Sequence, residues 1–397
     1  MDKKGVFLLK TYKFKHRKYT LKKNWILLMI IIIMRLEKII SEIEKIFPLN
    51  TAEEYDNVGL LLGKMNVECK KALVCHDVTD ETIDEALSNK CELVISYHPL
   101  IFSSLKKVNY EDRVGRLITK MIENKLSLYT IHTSFDNIKN GLNLMLGEIL
   151  NLSNQRKLIP KKNSLMKITS YVPSDYLDKV LNSLYDAGAG EIGNYSKCSF
   201  STKGQGTYMG SKQSNPKFGK KEELTKTSEI LISLVFPSHK KKKIVENLIE
   251  SHPYESVAYE VTNIENSNPD LGLGSIGILP RSMTHNEFLE YLKSKLPISF
   301  LRHTKFNTNK IRTVSVLAGS GAFAIDNAIE NNADAFVTGD LKYHDFYKSD
   351  NKILLVDAGH FETEFFIKNK LQEILNEKIP NFAFVQSNIN TNPVKYF

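Results

Sequence analysis

The sequence predicts an α/β fold in two parts. One is an outer α/β domain with a mainly parallel sheet, split in the chain. The other is a ferredoxin-like α+β domain inserted between its halves. Three observations predict this. The chain has 397 residues, which suggests two domains rather than one. Short apolar runs alternate with helical patterns in the first and last thirds, as in βα units on a parallel sheet. The middle instead reads βαββαβ, the order of a split βαβ domain.

The expected divisions are an extension over 1–33, a first outer half over 34–160, an insert over 161–280 and a second outer half over 281–397. The extension is basic and then apolar, ending in the ten-residue run from Trp25 to Met34. A bilayer span takes about 20 apolar residues, so the run is too short to cross a membrane. A basic stretch before an apolar one is also the layout of a signal peptide, but no small-residue cleavage site follows. The reading adopted is an over-long gene start, with the protein beginning at Met34.

The formal net charge of +9 comes almost entirely from this extension. Residues 1–34 hold nine Lys/Arg and one acid; the other 363 residues hold 45 bases and 44 acids. The body shows no basic stripe for nucleic acid. Four cysteines are scattered without a CxxC pair, which argues against a zinc finger and a disulfide framework and fits a cytoplasmic location.

In the first outer half, 35–47 reads as an amphipathic helix stopped by Pro48. Strands are expected at 72–75, 93–97 and 127–131. Helices are expected at 79–88, with Thr79 as N-cap, and at 114–124. In the insert, strands at 167–173, 198–209, 229–237 and 256–264 frame helices at 174–187 and 238–250. The sequences before the two helices echo each other: Tyr171-Val-Pro-Ser174 and Phe236-Pro-Ser238. Residues 204–221 are rich in Gly and Lys and read as a loop or hairpin tip. In the second outer half, strands at 313–317, 335–338 and 352–356 flank a helix at 322–331.

Each outer strand ends in side chains that bind metals. The strand at 93–97 leads to His98-Pro99, that at 127–131 to His132 and Asp136-Asn137, that at 335–338 to Asp340 and His344, and that at 352–356 to Asp357, His360 and Glu364. At the start of a helix, His360 and Glu364 share one face, one turn apart. In one parallel sheet these ends lie on one edge, so His98, Asp136, His360 and Glu364 can meet. Imidazole mixed with carboxylate suits Zn, Mn or Fe, and two carboxylates allow two ions to be bridged. Each motif alone has a plainer reading. His98 before Pro can be structural, Asp136-Asn137 a turn, and His360/Glu364 or Asp340/His344 first-turn polarity. Gly319-Ser-Gly321 is better read as a tight turn than as a phosphate cradle. The coincidence of four such ends favours a site.

Five segments resemble the Nif-three-like family, also described as GTP cyclohydrolase type-two homologues or dinuclear-metal-centre hexameric proteins. They are Ala52-Glu-Glu-Tyr-Asp-Asn-Val-Gly59, Ser96-Tyr-His-Pro-Leu-Ile-Phe102, Ile131-His-Thr-Ser-Phe-Asp-Asn137, Thr338-Gly-Asp-Leu-Lys-Tyr-His-Asp345 and Asp357-Ala-Gly-His-Phe-Glu-Thr-Glu364. The resemblance covers about 34–397. It implies a toroidal homohexamer with two divalent metals per subunit facing an internal cavity, and an insert like a PII/CutA-type module; the short apolar run and the near-neutral body argue for no membrane and no nucleic-acid partner. The implied ligands are His98, Asp136, His360 and Glu364. The family motif usually has two adjacent histidines before Pro99; here the first is Tyr97. A phenol is a poorer ligand than imidazole unless a metal deprotonates it. Either the second ion is bound weakly, or it uses Tyr97 or water, or Tyr97 only packs.

The resulting expectation is a metal-dependent hydrolase acting on a nucleotide-like small molecule, with GTP suggested by the family name. Asp340 and His344 would hold ligands in place or move protons. No P-loop is present, nor the Cys/His zinc arrangement expected of the better-known cyclohydrolase. The alternative is a non-catalytic scaffold that handles metal or senses a metabolite through the insert. Nucleic-acid or transcription-factor binding is weaker still, given the neutral body.

Overall fold

The computed structural model describes residues 33–305 and 310–395. The expectation for the N-terminal extension falls on residues 1–32, outside the described residues.

The outer strands form two large sheets, where one was expected, and Met34–Arg35 pairs with Glu68–Cys69 in a separate two-stranded one. The first sheet runs Ala383–Gln386, Lys71–Cys75, Leu93–Ser96, Ser127–Thr130, Gly59–Leu62. Its neighbours are parallel except the last strand, which pairs antiparallel with Ser127–Thr130. The second sheet runs Arg302–His303, Leu354–Asp357, Ala335–Gly339, Ile311–Ser320, Gly272–Met283, Ser153–Pro160. Only its three central strands are mutually parallel. Periodicity identifies a strand but not its neighbour, so the sequence could not separate the two sheets. Strand Ser153–Pro160 was not expected, because its first half is polar and largely exposed.

Side-chain alternation explains the layering. In Lys71–Cys75, Leu73 and Cys75 face a core shared with helices Asp80–Ser88 and Arg113–Glu123. Ala72 and Val74 face the opposite core, which joins both sheets to helices Leu36–Ile46 and Ile367–Lys378. Strands covered on both faces read as continuous apolar runs. That is why Leu93–Ser96 and Ser127–Thr130 are buried throughout. Thr79 caps its helix as expected, in a reciprocal box with Thr82.

The insert contains a four-stranded antiparallel sheet of Leu165–Pro173, Phe200–Met209, Leu224–Pro237 and Tyr259–Ile264. In space the order is fourth, first, third, second, a ferredoxin-like arrangement. Helices Leu177–Ala187 and Lys241–Ser251 bury Val180, Leu184, Ile244 and Leu248 against Ile168, Ile232 and Phe236. The sequence echo is real: after Pro173 and after Pro237, a short 3-10 turn leads into each helix. Gly204 to Met209 pair with Leu224 to Glu229, in line with the strand expected at 198–209, so of the overlapping loop expected over 204–221 only the part beyond Met209 lies outside strand. Gly206 belongs there because a Cβ would lie 2.2 Å from the Glu229 carboxylate. Strand Gly272–Met283 runs across residue 280 and lies in the second sheet.

Candidate metal centre

The site forms where the C-terminal ends of the two sheets face each other. In the first sheet, inter-strand bonding continues past the strands. Tyr97 N donates to Cys75 O, His98 N to His76 O, and His132 N to Tyr97 O, each at 3.0 Å. This places His76, His98 and His132 side by side. In the second sheet, strand Leu354–Asp357 turns at Gly359 into the short helix His360–Glu364. Asp340 follows the neighbouring strand Ala335–Gly339.

Glu364 is the centre of the cluster and only 2% exposed. Its Oε2 lies 3.4 Å from His98 Nε2, 3.3 Å from His360 Nε2 and 2.9 Å from His76 Nε2. His98 Nε2 and His360 Nε2 are 3.4 Å apart. Donors about 2.0–2.2 Å from a tetrahedral ion are separated by roughly 3.3–3.6 Å. The His98, His360 and Glu364 atoms therefore already match three corners of such a shell, and these residues fit a divalent metal.

The imidazoles are held by carboxylates on their other nitrogen. His98 Nδ1 meets Asp77 Oδ1 at 2.9 Å, His360 Nδ1 meets Asp340 Oδ2 at 2.6 Å, and His132 Nδ1 meets Asp56 Oδ1 at 2.8 Å. Each bond assigns the proton to Nδ1 and leaves Nε2 as the free donor atom. Asp77 is anchored in turn by Thr391, 2.6 Å away. Thr133 fixes Asp56 through its backbone N–H.

Burial and neighbouring charges set the protonation of the cluster. Burial would drive Glu364 to its neutral form, but His98, His360 and His76 hold it well below the usual carboxylate range. Burial likewise opposes charge on His360, yet hydrogen bonds to Asp340 and Glu364 raise it to about 11. Asp136 goes the other way: burial, aided by Glu364, pushes it to about 7 against the pull of His132 and Tyr97. A buried anion of this kind needs a proton or a metal beside it.

Tyr97 does more than pack. Its hydroxyl donates to Asp136 Oδ1 at 2.8 Å. Burial, then Asp136 and Glu364, raise its pKa well above the ordinary 10, so the phenol stays a proton donor. Beneath Asp136, the buried Lys157 amine donates to the carbonyls of Asp136 and Ile138 at 3.1 and 2.7 Å. It anchors the turn that carries the carboxylate.

These residues line a cavity of about 950 Å³. Tyr55, Phe102, Phe300, Phe323 and Phe361 form much of its wall. Six carboxylates line it, from Asp77, Asp136, Asp340, Asp357, Glu362 and Glu364. Among the described residues, the only Lys or Arg in the wall is Arg302, which is paired with Asp357.

A family model described as Duf34/NIF3 (NGG1p interacting factor 3) matches residues 34–393. The chain belongs to this family. A Bacillus subtilis relative described as GTP cyclohydrolase 1 type 2 homolog is 35% identical over 367 residues, covering 91% of this chain and 98% of the relative. A Staphylococcus aureus relative of the same description is 31% identical over 372 residues, covering 91% and 100%. Among solved structures, a Bacillus cereus protein related to NIF3 is 34% identical with a TM-score of 0.81, covering 92% of this chain and 99% of its own.

In this Duf34/NIF3 member, His98, His360 and Glu364 come together as one cluster, from two sheets rather than one edge. Asp136 lines the same cavity but bonds to Tyr97. Asp340 touches His360, not the cavity's centre. His344 is exposed, packs against Tyr343 and Tyr347, and does not line the cavity. His76 and Asp77 were missed, although a His-Asp pair directly after the apolar run 72–75 is the same signal as at the other strand ends. His132 was noticed but left out of the ligand set. Its four-residue spacing to Asp136 repeats that of His360 to Glu364.

Proposed function

We propose that this chain is a divalent-metal-dependent hydrolase acting on a small heterocyclic, nucleotide-like molecule. The observation that carries the reading is the triangle of His98 Nε2, His360 Nε2 and Glu364 Oε2, with sides of 3.3–3.4 Å, inside a large cavity. Zn, Mn or Fe suits that donor set. When bound, such an ion supplies Lewis acidity and a water of lowered pKa. The rest is the chain's own work. Asp77 and Asp340 orient His98 and His360. Asp136, near neutral in its pKa, faces the same cavity as a carboxylate for a second ion or as a proton carrier. His132 Nε2, backed by Asp56, is a further proton acceptor.

The aromatic wall suits a flat ring by stacking. Six carboxylates against one paired arginine repel a polyphosphate, so phosphates would be accepted only with metal in place. The relatives' description makes GTP the first purine nucleotide to try. The proposed assembly is a toroidal homohexamer with these centres facing its cavity. The insert is proposed as a PII/CutA-type module that senses a metabolite.

The test is turnover of a purine-nucleotide panel by metal-stripped protein, before and after metal is restored, beside His360→Ala. Turnover that returns with metal and is absent in the variant supports the hydrolase. Tight metal binding with no turnover across the panel contradicts it. That outcome supports the second reading, a metal-handling scaffold, which Tyr97's occupation of Asp136 favours.

A further inference from the structure

We propose that His76 is a metal ligand: its Nε2, with Glu364 Oε2, holds a second divalent ion beside the one bound by His98, His360 and Glu364. The inference rests on the metal-centre reading above and adds to it the imidazole of the second position.

His76 is buried, with a side-chain exposure of only 5%. Its Nε2 reaches the shared oxygen of Glu364 at 2.9 Å. A six-coordinate ion with ligands about 2.1 Å away has neighbouring donors roughly 3.0 Å apart. The pair is spaced for one edge of such a shell.

His76 does not complete the first ion's shell. Its ring stacks on that of His98, with centroids 4.9 Å apart and planes 20° from parallel. Lone pairs lie in the ring planes, so the two Nε2 donors run side by side instead of converging on one point. Side-by-side imidazoles with a carboxylate oxygen between them suit two ions about 3.5–4 Å apart. The other donors at this end of the first sheet are Tyr97, Asp136 and His132; the Tyr97 hydroxyl is committed to Asp136, and His132 follows strand Ser127–Thr130, which strand Leu93–Ser96 separates from the strand that leads to His76. His76 Nδ1 is 4.0 Å from Asp77 Oδ2, while Asp77 Oδ1 already serves His98. Asp77 therefore bonds His98 but not His76, and Nε2 is the His76 nitrogen that reaches Glu364.

The alternative is that His76 only donates a hydrogen bond that steadies Glu364. Metal content separates the two. The full chain, stripped and reloaded with Co(II) or Mn(II), is dialysed and assayed by elemental analysis. Visible absorption follows Co(II), and electron paramagnetic resonance follows the coupling between ions. The wild type is expected to hold two ions per chain with a coupled signal. His76→Ala is expected to hold one, uncoupled, and His76→Ala/Tyr97→His to regain the second. Circular dichroism checks that each variant is folded. Two ions retained in folded His76→Ala overturn the proposal. So does a wild type that holds only one ion, which leaves the first site standing. A wild type that binds none overturns the metal-centre reading itself. If His76→Ala does not fold, folded His76→Gln decides: one ion per chain supports the proposal, and two ions overturn it.

Discussion

Gly319 sits against the metal centre, and Gly319→Ala should damage it without replacing a ligand. Gly319 has φ +69°, in the left-handed region. A Cβ there would lie 2.5 Å from Glu364 Oε1 and 3.2 Å from His360 Nε2. The left-handed backbone alone costs an alanine about 1–2 kcal/mol. Relieving the contact requires the carboxylate to retreat by roughly 0.9 Å, against a tolerance of about 0.2 Å in metal–ligand distances. Glu364 is buried and packed, so it cannot swing out to water. Displaced ligands of this kind cost about 10- to 100-fold in affinity, which is about 1.4–2.7 kcal/mol. The assay is Zn(II) competition with a chromophoric chelator on stripped protein, beside urea unfolding of the metal-free form. Gly204→Ala serves as control, since a Cβ there meets nothing within 4 Å. Zn(II) affinity of Gly319→Ala within twofold of wild type would refute the geometry.

Two further predictions concern individual side chains. Asp340→Asn removes the carboxylate that holds His360 Nδ1 at 2.6 Å; metal affinity should fall about 10- to 100-fold. In the same metal-free variant, NMR titration should show the His360 pKa lowered from about 11, and an unmoved pKa would count against the pairing. In the insert, burial, with Lys240 beside it, pushes His239 down from 6.5 to about 4. Below pH 6.5 the unfolded chain takes up a proton that the folded chain refuses. The stability present above pH 6.5 is therefore lost as pH falls toward 4. His239→Gln should flatten that part of the urea-midpoint profile, and an unchanged slope would exclude His239 as its source.

Much of this was legible in the residues. Buried strands such as Leu93–Ser96 announce themselves as apolar runs, and Thr79 announces its helix. His360 and Glu364 are legible as a pair because four residues make one helical turn. What was not legible depends on neighbours in space. The division into two sheets depends on strand partners, which periodicity does not encode. The role of His76 depends on its reaching Glu364, 288 positions away. Gly206 looked like a loop signal because a glycine that makes room for Glu229 is indistinguishable, in sequence, from one that makes a turn.

The central claim is that His98, His360 and Glu364 hold a divalent ion. Anomalous scattering from crystals of the full chain, collected on both sides of the Zn, Mn and Fe edges, tests it most directly. The account predicts a peak about 2.0–2.2 Å from His98 Nε2, His360 Nε2 and Glu364 Oε2. A metal-replete crystal with no peak among these three atoms would contradict it.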